Sequence, residues 1–371
     1  MKGRGFVGAL ERSWSGEPGV IPWTLALLPL AGAYAIGSGW ARRAAARTRV
    51  SVEGVHVVAV GNLTVGGTGK SSIARWLAGE VAEAGGRGAV LLRGHGANAA
   101  VDAPAAVPDF AGLPLAGASG RYGDEALAHR AALPRSIAVI VDPDRARAAS
   151  SARFGYGATV AILDDGWEQR RLAWNELWVT VDPLRPCGNG RLLPAGPLRR
   201  PPETLAQATV VAFLLESEEE RVSDEASSLV VRHAPRAAVL RFRRVLRGVS
   251  AVGDPRAVAW PTAGFTAAGL VTAVGAPARV ERFARGAGIP IAAHEAFPDH
   301  AAVSPARLRA SLERLRERGA TVALVTEKDE HRWIVPDPAP LPIRVLRTGV
   351  TPLDPVSTSL LPLRRAAGGV C

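Results

Sequence analysis

Between Val55 and Leu77 the chain reads VHVVAVGNLTVGGTGKSSIARWL, and few folds can hold that order of residues. The valine-rich run from Val55 to Val60, with glycine on either side, suits a strand covered on both faces in a parallel sheet. A glycine-rich turn and a helix follow. The turn, Thr64-Val65-Gly66-Gly67-Thr68-Gly69-Lys70-Ser71, fits the phosphate-loop pattern except that Thr64 stands where the first glycine is expected. In such a loop backbone N–H groups surround a phosphate chain and the helix start adds its positive end. Lys70 reaches the β- and γ-phosphates, and the Ser71 hydroxyl sits on Mg²⁺. All eight residues are therefore the expected nucleotide site. A strand-to-helix turn with no nucleotide is the bland alternative, and Gly-Lys-Ser after a buried strand argues against it.

At 371 residues the length suggests two domains. With 47% hydrophobic and 21% charged residues, the chain belongs with folded proteins. Its net charge of +11, carried mostly by arginine, suits an anionic partner: nucleic acid, an anionic membrane or a phosphorylated lipid. Aromatic residues, 5% of the chain, are not interleaved with the basic ones, which argues against single-stranded nucleic acid. Cys187 and Cys371 form no metal-type spacing and no disulfide framework, in keeping with a reducing cytosol. Val20 to Trp40 carries no charge, and Arg42, Arg43, Arg47 and Arg49 follow it. Its prolines and glycines weaken it as a straight spanning helix. It reads as a segment lying on or dipping into a cytoplasmic leaflet, with a buried helix as the alternative.

Further along, Gly88–Leu92, Ile137–Val141, Thr159–Leu163, Glu176–Val181 and Thr209–Leu214 read as strands. Gly123-Asp124-Glu125 opens an alanine-rich helix; the two carboxylates either favour the helix start or supply a general base and a Mg²⁺ ligand. The strand ending in Asp164-Asp165-Gly166 matches a Walker B position, where either aspartate could meet the metal. A proline- and glycine-rich loop, Arg185 to Arg199, prescribes a rigid path with its arginines toward a solvated or anionic surface. The acidic run Glu216 to Glu225 marks the expected boundary between a domain over 51–220 and another over 221–350, flanked by an N-terminal segment 1–50 and a weakly specified tail 351–371. In the second half, strands at Ala237–Val245, Ala257–Trp260 and Val322–Val325 alternate with helices at Pro277–Ala287 and Pro305–Arg318. Pro298-Asp299-His300 and Thr326-Glu327-Lys328-Asp329 stand out there.

Together these motifs resemble the tetraacyldisaccharide 4′-kinase family: GNLTVGGTGK at 61–70, RGHG at 93–96, GDE at 123–125, LDDG at 163–166, GNGRLLPAGPLR at 188–199, DH at 299–300 and TEKD at 326–329. The Thr64 departure from the phosphate-loop pattern is the family's own habit. The resemblance implies a P-loop NTPase-type α/β fold, a mostly parallel sheet flanked by helices. A second, smaller α/β domain and an apolar N-terminal membrane-associating segment go with it. It implies transfer of the ATP γ-phosphate to the 4′-hydroxyl of an acylated disaccharide 1-phosphate, giving lipid IVA in lipid A and lipopolysaccharide biosynthesis. The work would be done at the cytoplasmic face of the inner membrane, by a peripheral or monotopic protein with no nucleic-acid partner. It further implies Asp124 as base, assisted by His300, and Lys70 stabilising the transferring phosphoryl group. Mg²⁺ would be held by Ser71 and Glu125 with Asp164 or Asp165. Trp167-Glu168-Gln169 stands where the family usually has Phe-Gln-His, Arg200 where an acidic residue is common, and Ser71-Ser72 in place of Thr-Pro. The rivals are a P-loop GTPase or metallochaperone, for which Thr326-Glu327-Lys328-Asp329 partly echoes a guanine-reading motif, and a non-catalytic relative, which would have lost its base or lysine.

Overall fold

The structure, a computed structural model, describes Trp14 and residues 23–94, 103–108, 118–169, 171–254, 256–260, 264–298, 301 and 303–368. His95 and Gly96 of the RGHG stretch, and Asp299 and His300, lie outside the described residues. Two helices come first, α1 (Trp23–Ala26) and α2 (Leu28–Ala46). Pro29 sits in the first turn of α2, where its missing N–H removes no helical bond. The helix runs on through Gly32, Gly37 and Gly39 and past Trp40 into the arginines, so the apolar and basic stretches form one rod rather than a broken segment.

The first half then alternates: β1 (His56–Asn62), α3 (Lys70–Glu83), β2 (Gly88–Leu92), the two-residue β3 (Ala105–Ala106), α4 (Ala118–Tyr122), α5 (Asp124–Ala132), β4 (Ile137–Val141), α6 (Arg145–Tyr156), β5 (Val160–Leu163), β6 (Glu176–Val181) and β7 (Val210–Leu215). The second half continues with α7 (Asp224–His233), β8 (Ala238–Ala251), β9 (Ala268–Thr272), α8 (Pro277–Gly286), β10 (Ile291–Ala296), α9 (Pro305–Glu317), β11 (Val322–Thr326), α10 (Glu327–Glu330), β12 (Ile343–Pro352) and α11 (Ser357–Ala366). These strands make one sheet in the order β10-β9-β11-β12-β8-β7-β6-β1-β5-β2-β4-β3. Only β8 with β12 and β3 with β4 run antiparallel. The fold is thus a mostly parallel α/β sheet, as expected. Val57 to Val60 are buried on both faces between β5 and β6, which is why that run carries no polar alternation.

Three expectations change. Ala257–Trp260 is not a strand; after the turn at Gly253, Val258 only folds back on Val249 in an isolated bridge. β8 is longer than Ala237–Val245, because β12 pairs along its second half. The C-terminal stretch is anchored: Leu360 and Leu363 of α11 are fully buried in the cluster that holds Leu77, Ala78 and Val81 of α3, and Arg364 pairs with Glu80 at 2.7 Å. Burying two such leucines contributes about 3–6 kcal/mol before the entropy of ordering the helix is subtracted.

Parallel strands end on one edge of the sheet, and ligands of such folds bind outside those carboxyl ends. Here the ends of β1, β5, β9 and β11 open on a shared cleft whose walls come from both halves of the chain.

Candidate active site

The phosphate loop enters the cleft between β1 and α3. Gly69 caps α3 in a left-handed conformation (φ 90°), and a Cβ there would lie 2.4 Å from Leu214 Cδ2, so both backbone and packing require glycine. Thr64, by contrast, forms an antiparallel bridge with Leu198. Its extended backbone needs no glycine, which explains why threonine serves. Asn62, which sequence reasoning passed over, organises the turn: its amide donates to the Thr64 carbonyl at 2.5 Å and its Oδ1 accepts from Lys70 Nζ at 2.9 Å. The loop 188–199 braces the same turn through Val65 N to Pro197 O at 2.8 Å and Arg199 N to Leu63 O at 2.8 Å. Two of its arginines turn inward rather than to an open surface: Arg191 reaches Thr24 at 2.8 Å, and Arg199 reaches Asp165.

Asp164 and Asp165 are neighbours with different surroundings. Asp165 is the only described non-glycine residue in the left-handed region, at φ 53°, a conformation aspartate tolerates better than most residues. Its carboxylate lies 3.0 Å from Lys70 and 3.1 Å from Arg199. Burial works against its charge, yet Lys70 and Arg199 outweigh burial and hold the carboxyl below the ordinary range. Asp164 is buried and takes a 2.8 Å hydrogen bond from His129 Nε2. Burial opposes its charge too, but His129, the Ser71 hydroxyl and Lys70 keep it ionised well below the usual carboxylate range. No hydrogen bond of good geometry reaches its second oxygen, Oδ1. A bare, buried carboxylate oxygen beside a P-loop hydroxyl is the donor chemistry a hard divalent cation takes. Among the described residues no three acidic, histidine or cysteine side chains converge as a cage. Of the four expected metal ligands, Ser71 and Asp164 face each other, whereas Asp165 is committed to cations and Glu125 to Lys328.

The second half supplies the cation at Glu125 through one short segment. Thr326 caps α10 and bonds Asp329 at 2.7 Å, Glu327 pairs with Arg75 at 2.6 Å, and Lys328 pairs with Glu125 at 2.6 Å. Burial works against the Lys328 charge, but Glu125, Asp124 and Asp164 prevail and raise its pKa. Asp329 is fully buried and accepts from Ala273 N and from Arg332, so it is turned away from any guanine-reading role. Arg332, missed in the sequence, bridges Asp329 to the carboxylate of Asp124. His300, the expected partner of Asp124, falls outside the described residues.

Two cavities meet at these groups. One, of about 440 Å³, is lined by the phosphate loop, Arg244, and Val274 to Phe283 on and before α8. The other, of about 560 Å³, is lined by Arg93, Arg145, Arg171, Glu168 and Gln169. Glu125, Asp164 and Asp165 line both. Burial and neighbouring Arg93 lower the Arg145 pKa to about 10, against the pull of Asp164, Asp165 and Asp142, so it stays cationic at neutral pH. The two unusual residues at this wall turn out to be partners. Arg200 donates to Glu168 at 2.5 Å and to the Trp167 carbonyl, with its guanidinium 4.4 Å from the Trp167 ring centroid. A glutamate that would otherwise repel a phosphate is thereby neutralised from behind.

Comparisons with known proteins place the chain in a family. The family model described as tetraacyldisaccharide-1-P 4′-kinase matches residues 23–361. Among curated relatives, the tetraacyldisaccharide 4′-kinase of Phenylobacterium zucineum is 35% identical over 352 residues, covering 91% of this chain and 94% of its own. That of Anaeromyxobacter dehalogenans strain 2CP-C is 35% identical over 297 residues, covering 77% and 74%. A crystal structure of LpxK from Aquifex aeolicus in complex with ATP superposes with a TM-score of 0.70 at 20% identity, over 93% of this chain and 99% of that one, and shows the same fold. The chain belongs to the tetraacyldisaccharide 4′-kinase family.

Proposed function

We propose that the protein transfers the γ-phosphate of ATP to the 4′-hydroxyl of a tetraacyldisaccharide 1-phosphate at the cytoplasmic face of the inner membrane. One observation carries the reading: Lys70 and the acidic groups Asp124, Glu125, Asp164 and Asp165 gather where a phosphate-loop cavity joins an arginine-lined one. ATP would lie in the first, with its phosphates along Gly66–Ser71 and its base toward Val280 and Phe283. The acceptor headgroup would lie in the second, its 1-phosphate drawn by Arg93, Arg145 and Arg171.

In the reaction the acceptor oxygen bonds to the γ-phosphorus, the bond from that phosphorus to the β,γ-bridging oxygen breaks, and ADP leaves. The hydroxyl proton passes to Asp124, assisted by His300. Arg332 keeps the Asp124 carboxylate oriented, and Lys70 meets the charge that spreads over the γ-phosphoryl oxygens. Asn62 and Asp165 hold the lysine in place beforehand. Ser71, Glu125 and Asp164 would hold Mg²⁺, which when bound neutralises phosphate charge.

The N-terminal helices suit an acceptor whose acyl chains stay in lipid. Leu25, Leu28 and Leu30 are exposed, as are Ile36 at 77% and Trp40 at 73%, with Arg43 and Arg47 following. No helix among the described residues is long and apolar enough to cross a membrane, so the association proposed is with one leaflet. The test is transfer of labelled γ-phosphate from ATP to a tetraacyldisaccharide 1-phosphate in detergent micelles. Label in the lipid is expected. ATP binding without transfer would refute the acceptor assignment, and preference for GTP would move the protein to the rival class.

A further inference from the structure

His129 belongs to none of the motifs above, yet its only hydrogen-bonded polar atom points at the reaction site. It lies on α5 four residues after Glu125, a spacing that puts both on one face of the helix. Its side chain is 1% exposed and that of Asp164 is 3% exposed. The 2.8 Å contact runs from Nε2 to Oδ2 of Asp164, and an ionised carboxylate only accepts, so Nε2 carries the proton there. Nδ1, also buried, has no hydrogen-bond partner among the described residues. A purely structural role accounts poorly for this residue. α5 is buried on most sides, with Ala126, Leu127 and Ala128 beside it in the chain, and a leucine at 129 would leave no ring nitrogen unsatisfied. The imidazole's burial is offset by one gain, the fixed orientation of the Asp164 carboxylate.

That orientation has a direction. With Oδ2 held by His129, the carboxylate leaves Oδ1 without a hydrogen bond of good geometry, while the Ser71 hydroxyl and Lys70 both bear on its charge. We propose that His129 is a positioning residue that locks Asp164 with one oxygen free for the divalent cation of the nucleotide. α5 then carries three parts of the site on one rigid element: the base Asp124 and the ligand Glu125 at its start, and one turn later the residue that aims the ligand Asp164. Outer groups of this kind hold a metal ligand in one rotamer, so that no torsional freedom is lost when the metal arrives. The inference rests on the reading that Asp164 meets Mg²⁺, and the experiment separates the two.

The full-length protein and its His129→Leu and His129→Gln variants are compared by calorimetric titration with ATP, once with Mg²⁺ and once with EDTA. In the wild type Mg²⁺ strengthens ATP binding. His129→Leu is expected to lose about 10- to 100-fold of that enhancement. Its affinity in EDTA should stay within about twofold, because the phosphate loop is untouched. His129→Gln, which keeps an N–H within reach of Asp164, is expected to recover most of the loss. A leucine variant whose Mg²⁺ enhancement matches wild type would overturn the proposal and leave His129 as a packing residue. Should that variant fail to melt cooperatively, His129→Met and His129→Gln, alike in length and different in the donor, make the same comparison, and equal enhancement in the two overturns the proposal. A wild type showing no Mg²⁺ enhancement at all would overturn the metal reading of Asp164 itself.

Discussion

The pairing of Glu168 with Arg200 gives the most quantitative test of how this site is built. The Arg200 side chain is 4% exposed and that of Glu168 is 38% exposed, with 2.5 Å between Nε and Oε1. An exposed ion pair contributes about 0–1 kcal/mol, whereas breaking a buried one costs about 3–5 kcal/mol. This pair lies between those limits, because Glu168 can turn to the cavity while Arg200 cannot leave the core. Glu168→Gln strips the buried guanidinium of its counter-charge and should cost about 2–3 kcal/mol. Arg200→Glu removes the ion pair and the contact with the Trp167 ring, the latter worth about 1 kcal/mol, and sets a buried carboxylate against Glu168, so it should cost more, about 3–5 kcal/mol. When Glu168→Gln and Arg200→Glu are combined, an amide again faces a carboxylate with donor and acceptor exchanged, so the double variant should recover about 1–2 kcal/mol relative to the sum of the single losses. Urea denaturation of the four proteins measures this coupling. Kinetics gives a second readout. Without Arg200, Glu168 adds a bare charge to a wall that already holds Asp144, Asp164 and Asp165. A charge about 8 Å from an acceptor phosphate in an effective dielectric of about 40 contributes about 1 kcal/mol of repulsion. The acceptor KM of Arg200→Gln should therefore rise about fivefold while the ATP KM stays put. A coupling under about 0.3 kcal/mol with an unchanged acceptor KM would refute the idea that the two residues act as a unit.

Other parts of the structure make separate predictions. Lys70→Ala should lower phosphoryl transfer by at least about 100-fold in the labelled-phosphate assay while leaving the melting temperature within a few degrees, and near-normal turnover would remove the loop from the mechanism. Burial, helped by Arg347, lowers the His331 pKa to about 4. Above its ordinary value of about 6.5 both folded and unfolded states are neutral; as pH falls, the unfolded chain takes up a proton first, so stability should drop by up to about 3 kcal/mol between pH 6.5 and 4. His331→Phe should flatten that limb of a urea-denaturation series, and an unchanged pH slope would place the loss elsewhere. Changing Leu30, Ile36 and Trp40 together to serine should release the protein from anionic phospholipid vesicles in a flotation assay; undiminished flotation would put the membrane contact on another surface.

Much of the frame was legible because it depends on neighbours in the chain. Gly88–Leu92, Ile137–Val141 and Glu176–Val181 are short apolar runs between turn signals, and each became a strand within those bounds. β12 was not read from the sequence: Ile343, Val345 and Leu346 are buried, but Arg344 and Arg347 among them disguised the run as surface. Ala257–Trp260 was misread for the opposite reason: it meets β8 through the single bridge of Val258 to Val249, and one bridge without a ladder leaves such a run a loop. The acids of the site were likewise visible, as Asp124, Glu125, Asp164 and Asp165 stand at element ends. Their partners were not. Asp124 meets Arg332 across 208 positions and Glu125 meets Lys328 across 203, and nothing local to either arginine or lysine announces the pairing. His129 hides for a related reason, since within α5 it is one more helical residue until β5 delivers Asp164 to its ring.

These long-range pairs also bear on how the cleft works. Each carboxylate at the head of α5 is matched by a cation from α10 or the turn after it, and Asp165 by Lys70 and Arg199. Four acids can therefore stand around one small space without repelling each other apart. The same matching sets the terms on which a ligand enters. A divalent cation arriving at Glu125 meets a carboxylate already neutralised by Lys328, while one arriving at Asp164 meets an oxygen without a hydrogen-bond partner among the described residues. A phosphate chain brings the charge that can draw Lys70 from Asp165. The order of affinity within the site would thus follow from which acids the protein itself satisfies: on the proposed reading a metal would meet Asp164 first, and Glu125 only in competition with Lys328.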